Sequence, residues 1–177
     1  AGSSGNHVHA NGIAMELYAL GLSLAPEGAR GSGYLQNDHL QYYAQFPAHN
    51  TVLVDGTSSY PSMKADHPLL LNGLYPASAA PLAASFPWAT YSDVNFVEPA
   101  TQADQRRVMG TVRLADGAGY FIDIFRSRRR NGMDKYHDYI YPSLGQHMTF
   151  AGAGGGLLAT EPTQRLSFAD GDVFGYD

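Results

Sequence analysis

The sequence predicts an all-β protein, an antiparallel β-sandwich with one short helix. Twelve Tyr and 20 Gly in 177 residues, with only 15% charged residues, favour strands joined by many turns. Short runs rich in β-branched and aromatic residues alternate with Gly, Pro and Asp turn signals. Residues 38–46 predict the one short helix, because a candidate N-cap residue is followed by residues without Gly or Pro. This succession of strands is typical of sheets packed face to face.

The first predicted elements form a hairpin. Residues 13–18 predict a strand, and residues 22–24 predict its partner because Gly21 lies between them. Residues 26–33 combine one Pro with three Gly and predict an irregular loop.

The short helix comes next and leads into another strand. Asp38 predicts the N-cap, and Pro47 predicts the end of the helix after Phe46. Residues 51–54 predict a strand, which runs into the turn signal Asp55-Gly56.

The second half of the chain predicts most of the sheet. Residues 58–87 hold many prolines and predict a surface connection with one buried strand at 69–74. The clearest hairpin joins residues 106–114 to residues 120–125 across the turn at 115–119. Further short strands are expected at residues 136–141, 147–150 and 165–168.

Composition excludes several function classes. No run of about 18 apolar residues is present, which excludes a membrane-spanning helix. The net charge of −5 argues against nucleic acid or an anionic membrane as the main partner. The absence of Cys excludes disulfides, cysteine zinc sites and thiol catalysis. Residues 1–177 are expected to form a single β-sandwich domain. The chain opens AGSSG, and we expect a longer protein to continue upstream.

Three segments carry the chemistry: NHVHANG (residues 6–12), APEG (25–28) and PAHNT (47–51). An HxH pair on a strand directs both imidazoles to one face, about 6.6 Å apart. One ring can then bind a metal while its neighbour faces a cleft. Neutral imidazoles with a carboxylate suit Zn²⁺ and leave a position open for water or substrate. A metal site of His9, Glu27 and His49 follows as a hypothesis.

Two other interpretations stay open at this point. Each His can have a hydrogen-bonded structural role, and His39, His67, His137 and His147 have no partner visible in the sequence. A cupin-like metal enzyme also uses HxH, a following Glu and a later His, on a β-barrel. Glu16 lies seven residues after His9, however, and an odd offset on a strand points to the opposite face.

These segments resemble the heparinase II/III-like polysaccharide lyases. In that family an N-terminal α/α toroid precedes β-sandwich domains, and the first sandwich opens with a motif like NHVHANG. The segment AHNTVLVDG (residues 48–56) matches the family's Ala-His-Asn-Thr stretch and the Val-Asp-Gly turn that follows it. The likeness is most specific over residues 6–61 and loosens through the hairpin and residues 134–139.

The resemblance implies roles by position. His7 corresponds to the catalytic-site histidine that the sandwich contributes, and His9 and His49 correspond to zinc ligands. The acidic ligand is commonly Asp in the family; the matching loop here offers Glu27, which leaves Asp38 as an alternative. The zinc is expected to be structural. The catalytic tyrosine and the residues that bind the uronate carboxylate lie largely in the toroid, which is absent from this chain.

The resemblance also implies the reaction, β-elimination on a uronic-acid polysaccharide such as alginate or a glycosaminoglycan. It implies a periplasmic or secreted bacterial enzyme, allows a homodimer, and leaves the isolated segment inactive. Asn6 beside the catalytic histidine, Arg30 as a carboxylate partner and Tyr43 as a sugar-stacking ring are the expected substrate contacts. A non-catalytic carbohydrate-binding or structural sandwich with a stapling metal is the alternative. The remaining basic cluster is Arg126, Arg128, Arg129 and Arg130, which fits either a polyanionic glycan or a solvated strand end.

Overall fold

A computed structural model describes residues 9–28, 31–58, 68–144 and 147–161. These ranges hold eight strands and two short helical turns. The strands are β1 Leu17–Ala19, β2 Leu22–Ala25, β3 Val52–Val54, β4 Leu70–Tyr75, β5 Ala89–Glu98, β6 Ala103–Arg113, β7 Gly119–Arg129 and β8 His137–Tyr139; the helical turns are His39–Tyr43 and Phe46–Ala48.

The strands form antiparallel sheets, which confirms the predicted all-β class. The largest sheet has the order β4-β5-β6-β7, while β1 pairs with β2 and β3 pairs with β8. β3 packs on the large sheet, where Val52 and Val54 contact Ala103 and Phe125. The Gln105 side chain also donates a hydrogen bond to the Val52 carbonyl at 3.1 Å. The large sheet keeps two open edges in the described part of the chain, unlike the closed barrel that the cupin alternative expects.

The main core lies between the large sheet and the segments that carry the histidine motifs. Ile13, Phe46, Leu53 and Phe96 pack together there. Gly12 has a φ of +53°, and a Cβ at this position would lie 3.2 Å from the Phe96 ring. The glycine of the NHVHANG motif therefore lets the chain turn tightly against the core.

The long β6–β7 hairpin confirms the strongest strand prediction. Both strands extend beyond residues 106–114 and 120–125, and each is 11 residues long. Their turn is stabilised because the Asp116 carboxylate accepts a hydrogen bond from the Ala118 amide at 3.0 Å.

Several strand predictions need correction. β4 matches the strand predicted at 69–74, but it is exposed, with Leu70 62% accessible. β5 was not predicted, because polar residues such as Asp93 interrupt its apolar pattern; Asp93 is instead held by the Arg106 guanidinium at 2.8 Å. No strand forms over 147–150, where an isolated bridge between Ala151 and Leu157 follows. Residues 165–168 lie outside the described residues.

The predicted helix is shorter and wider than expected. Asp38 accepts a hydrogen bond from the His39 amide at 2.9 Å, as the N-cap prediction requires. The turn is π-helical and ends at Tyr43. The Ala44 amide closes it by donating a hydrogen bond to the His39 carbonyl at 2.8 Å. Pro47 lies inside a following 3₁₀ turn, because its fixed φ suits the first turn of a helix.

Part of the core-facing side of the large sheet is open. A cleft of about 890 Å³ lies there, lined by apolar side chains such as Met15, Leu74, Phe121 and Phe150. Phe121 is 46% accessible. Within the described residues the sandwich is therefore closed over β3 and β8 and open at the other end of the sheet.

Arg107 is fully buried and ties these elements together. Its guanidinium binds Asp123 on β7 through Nε at 2.9 Å and Nη2 at 2.7 Å, and Nη2 also donates to the Tyr139 hydroxyl at 3.0 Å. Nη1 donates to the carbonyls of Ile13 at 2.9 Å and Asn50 at 2.5 Å. These bonds use all five N–H donors of the side chain, so the buried charge is fully compensated.

We expect Arg107→Met to destabilise the fold by about 3–5 kcal/mol, since it leaves Asp123 and two carbonyls without their partner. Urea unfolding measures the change as a lower midpoint. Arg113→Met, at an exposed position of the same strand, is the matched control and should shift stability by no more than about 0.5 kcal/mol. Equal midpoints for the two variants would contradict the role of Arg107.

Candidate metal-binding histidine cluster

Three imidazoles meet beside the core. The His9 ring lies 5.1 Å from the His39 ring and 5.3 Å from the His49 ring, centroid to centroid. His9 is the second histidine of the NHVHANG motif. His39 begins the π-helical turn, and His49 directly follows the 3₁₀ turn. The fold therefore brings together three segments that are distant in sequence.

Glu27 reaches the same cluster through His49. Its Oε2 lies 2.5 Å from Nδ1 of His49, and its Oε1 accepts a hydrogen bond from the Asn50 amide at 3.0 Å. His49 is 1% exposed, so this contact is shielded from solvent. The loop carrying Glu27 approaches closely because Gly28 has no side chain: a Cβ there would lie 2.6 Å from the Ala48 carbonyl oxygen.

Asn50 fastens this arrangement from the other side. Its side-chain amide donates to the carbonyls of Met15 at 3.1 Å and Pro26 at 3.0 Å. Asn50 is fully buried, so these bonds hold the segment just before β1 and the loop that carries Glu27 against the AHNT segment.

The other ring nitrogen of His49 is buried without a partner. Nε2 has no hydrogen bond to any described residue, whereas Nδ1 is fixed by Glu27. An unsatisfied buried nitrogen costs about 1–3 kcal/mol. A metal-binding imidazole has this arrangement, with one nitrogen oriented by a carboxylate and the other available as a ligand.

His9 is held in its neutral, metal-binding form. Burial, and then the neighbouring His49 and His39, lower the pKa of His9 from 6.5 to about 4, although Glu27 acts in the opposite direction. An imidazole must be neutral to donate its lone pair to a cation. Near neutral pH the ring is therefore ready to bind one without first losing a proton.

The other predicted site residues have different positions. Asp38 accepts hydrogen bonds from the Ser32 amide at 2.6 Å and from the His39 amide, and hydrogen bonds from Ser32 lower its pKa. It acts as a cap, which weakens its case as the acidic ligand. Tyr43 packs edge-on against Tyr42 with centroids 5.0 Å apart. His7, Asn6 and Arg30 lie outside the described residues.

The remaining described histidines have different surroundings, and His67 lies outside the described residues. His39, which the sequence left as a structural or surface residue, is buried within the cluster. No local pattern in the sequence indicated this position, because the contact of His39 with His9 joins two segments that are distant in sequence. His137 is bonded to Asp134 at 2.8 Å and Ser127 at 3.0 Å, and His147 is exposed.

The cluster is not preassembled as a coordination shell. Among the residues that the structure describes, no group of three or more His, Cys, Asp or Glu side chains is already arranged to hold a metal ion. The ligand roles of His9, Glu27 and His49 thus stay predictions. Proximity and the unpartnered Nε2 support those of His9 and His49, whereas Glu27 contacts Nδ1 on the other side of the His49 ring.

Comparison with known proteins relates the chain to a polysaccharide lyase. It is 31% identical over 178 residues to an endo-acting ulvan lyase of Formosa agariphila. The match covers 94% of this chain but only 21% of that relative. No family model matches the chain, and no solved structure matches it.

Among the described residues, none of the helices is long and apolar enough to cross a bilayer.

The pKa of His9 predicts a pH dependence of stability in metal-free protein. Between pH 6.5 and about 4 the unfolded chain binds a proton at His9 more readily than the folded chain does. Stability should therefore fall as the pH falls through this window, and His9→Asn should remove part of that slope. Urea unfolding in a chelator at several pH values measures it. The exposed His147→Asn variant should keep the wild-type slope; a His9→Asn slope equal to it would refute the prediction.

Proposed function

We propose that this chain is the β-sandwich part of a heparinase II/III-like polysaccharide lyase that cleaves uronic-acid polysaccharides by β-elimination. The similarity to the ulvan lyase along 94% of the chain carries the proposal. The convergence of His9, Glu27 and His49, which the family resemblance implies, supports it. A polymeric substrate of this kind is met outside the cytoplasm, so we place the protein in the periplasm or outside the cell.

The chemistry explains why the substrate must carry a uronate. A base removes the C5 proton, the electron pair forms the C4–C5 double bond, and the glycosidic oxygen leaves C4 with a proton from an acid. The C5 proton is acidic enough only because the adjacent carboxylate takes up developing negative charge, which the enzyme must neutralise. General acid–base groups contribute about 10² to 10⁴-fold to such a reaction.

His7 is the residue of this chain that we assign to the reaction, in proton transfer or in neutralising the carboxylate. It lies two residues before His9, within about 7 Å along an extended chain. The remaining groups, including the catalytic tyrosine, are assigned to a toroid that this chain does not contain. The chain spans 21% of the relative's length, in keeping with a larger whole enzyme.

We assign the histidine cluster to a structural metal, with His9 and Nε2 of His49 as ligands and zinc as the preferred ion; Glu27, which contacts Nδ1 on the opposite side of the His49 ring, orients that ligand. The unpartnered Nε2 of His49 and the neutral His9 ring are the features that fit it. When bound, zinc supplies a cross-link between the segments that carry His9 and His49. The side chains of this chain then hold His9 against the AHNT segment.

We expect the purified protein to contain about one zinc per chain, and His9→Ala or His49→Ala to lose it. Elemental analysis after dialysis measures the content. Glu27→Gln tests the carboxylate separately: the amide oxygen can still accept from His49 Nδ1, but the negative charge that orients the ring is lost, so zinc affinity should fall about 10–100-fold. His147→Ala is the exposed control and should keep its zinc. Full zinc content in both histidine variants would overturn this site.

We expect the full-length enzyme to raise ultraviolet absorbance when given an acidic polysaccharide, because elimination creates a conjugated unsaturated uronate. Ulvan, the substrate named for the relative, belongs in the panel beside alginate and a glycosaminoglycan. His7→Ala should lower kcat about 10²-fold or more while zinc content is unchanged. Polysaccharide binding without any product, and indifference to His7→Ala, would instead support the non-catalytic carbohydrate-binding sandwich.

A further inference from the structure

We propose that the outer face of the β6–β7 hairpin is a second, non-catalytic binding surface for an anionic polysaccharide, with Arg126 and Arg128 as its anion-binding groups. This inference rests on the proposed function only for the choice of a polysaccharide as the ligand. Because successive residues of a strand face opposite sides, this surface lies on the other side of the sheet from the buried Arg107 and the histidine cluster.

The surface is a shaped groove. A concavity of about 550 Å³ lies there, with Leu70, Asn95 and Val97 among its lining residues. Four guanidinium groups line the same groove, those of Arg106, Arg126, Arg128 and Arg130. Leu70 is 62% exposed and offers an apolar area of the kind that the face of a sugar ring covers.

Only two of these four guanidiniums are hydrogen-bonded to a carboxylate of the described residues. Arg106 donates two hydrogen bonds to the Asp93 carboxylate, from Nε at 2.8 Å and from Nη2 at 2.5 Å. Arg130 donates to Oδ1 of Asp104 from Nε at 3.0 Å and from Nη2 at 2.8 Å. Arg126 and Arg128 form no side-chain hydrogen bond or salt bridge with another described residue, and Arg126 is attracted at longer range by Asp93, which already binds Arg106. The groove therefore has an excess of positive charge in a chain whose net charge is −5.

The placement of the charges favours a polymer over a single small ion. Arg126 and Arg128 lie two residues apart on β7, about 6.6 Å along the strand. Arg106 lies directly opposite Arg126 in the sheet. The groove thus offers a row of cations, and guanidinium groups bind carboxylate or sulfate oxygens in a bidentate manner.

An anion also resolves an unfavourable feature of the sheet. Like charges directly opposite each other on paired strands are destabilising, and Arg106 and Arg126 have this relation, with the single Asp93 carboxylate to offset both charges. The cross-strand partner of Arg128 is Asp104, but that carboxylate is used by Arg130. A bound carboxylate or sulfate ester supplies the charge that these positions lack.

The test uses full-length protein and two polymers that it cannot cleave by uronate elimination, carboxymethyl-dextran and dextran sulfate, with neutral dextran as the uncharged reference. Arg126→Ser/Arg128→Ser should raise the Kd for the charged polymers about tenfold, and neutral dextran should not bind. Binding by the wild type should weaken steeply between about 0.1 and 0.5 M salt. Arg126→Lys/Arg128→Lys keeps the charge but removes the bidentate guanidinium geometry, and it should give an intermediate Kd.

Arg113→Ser/Lys135→Ser is the matched control, since it removes the same charge at two exposed positions away from the groove. Its Kd should stay within about twofold of wild type. An unchanged Kd in the Arg126/Arg128 variants, or an equal loss in the control, overturns the proposal. Duplex DNA bound with equal affinity and equal dependence on Arg126 and Arg128 overturns the polysaccharide assignment. Because none of the probes is a uronate substrate, failure here is distinct from failure of the lyase assay.

Discussion

The buried guanidinium of Arg107 is the contact on which the arrangement of the molecule depends. It joins β6 to Asp123 on β7 and to Tyr139 on β8, and through backbone carbonyls it holds Ile13 and Asn50. An unpaired charge in this position would cost several kcal/mol, so its five donors are satisfied only when all these segments are in place. The large sheet is thereby coupled to the segments that carry the histidine motifs.

The histidine cluster is built on that coupling. The carbonyl of Asn50 accepts from Arg107, its amide nitrogen donates to Glu27, and its side chain binds the Pro26 carbonyl. Glu27 in turn fixes Nδ1 of the adjacent His49. Asn50 thus connects the buried ion pair to the candidate metal ligands, which accounts for a buried polar residue in the AHNT segment.

The arginines on the two faces of the β6–β7 hairpin are in opposite electrostatic environments. On the inner face Arg107 is dehydrated and fully neutralised by its own fold. On the outer face Arg126 and Arg128 are exposed to solvent and have no hydrogen-bonded carboxylate among the described residues. A charge inside must be paired to be tolerated, whereas a charge in water costs little and can serve a ligand.

Local patterns in the sequence determined the strand class, the β6–β7 hairpin and the capping role of Asp38, because strand periodicity, turn residues and caps act over a few positions. The family resemblance singled out His9, Glu27 and His49. Tertiary structure decided the rest. It placed the unpredicted strand β5 around Asp93, whose charge Arg106 neutralises, and it made Arg107 the centre of the core. It also brought His39 beside His9. The bonds of Arg107 to Ile13 and Asn50 span 94 and 57 positions, and no local pattern specifies a partner at that distance.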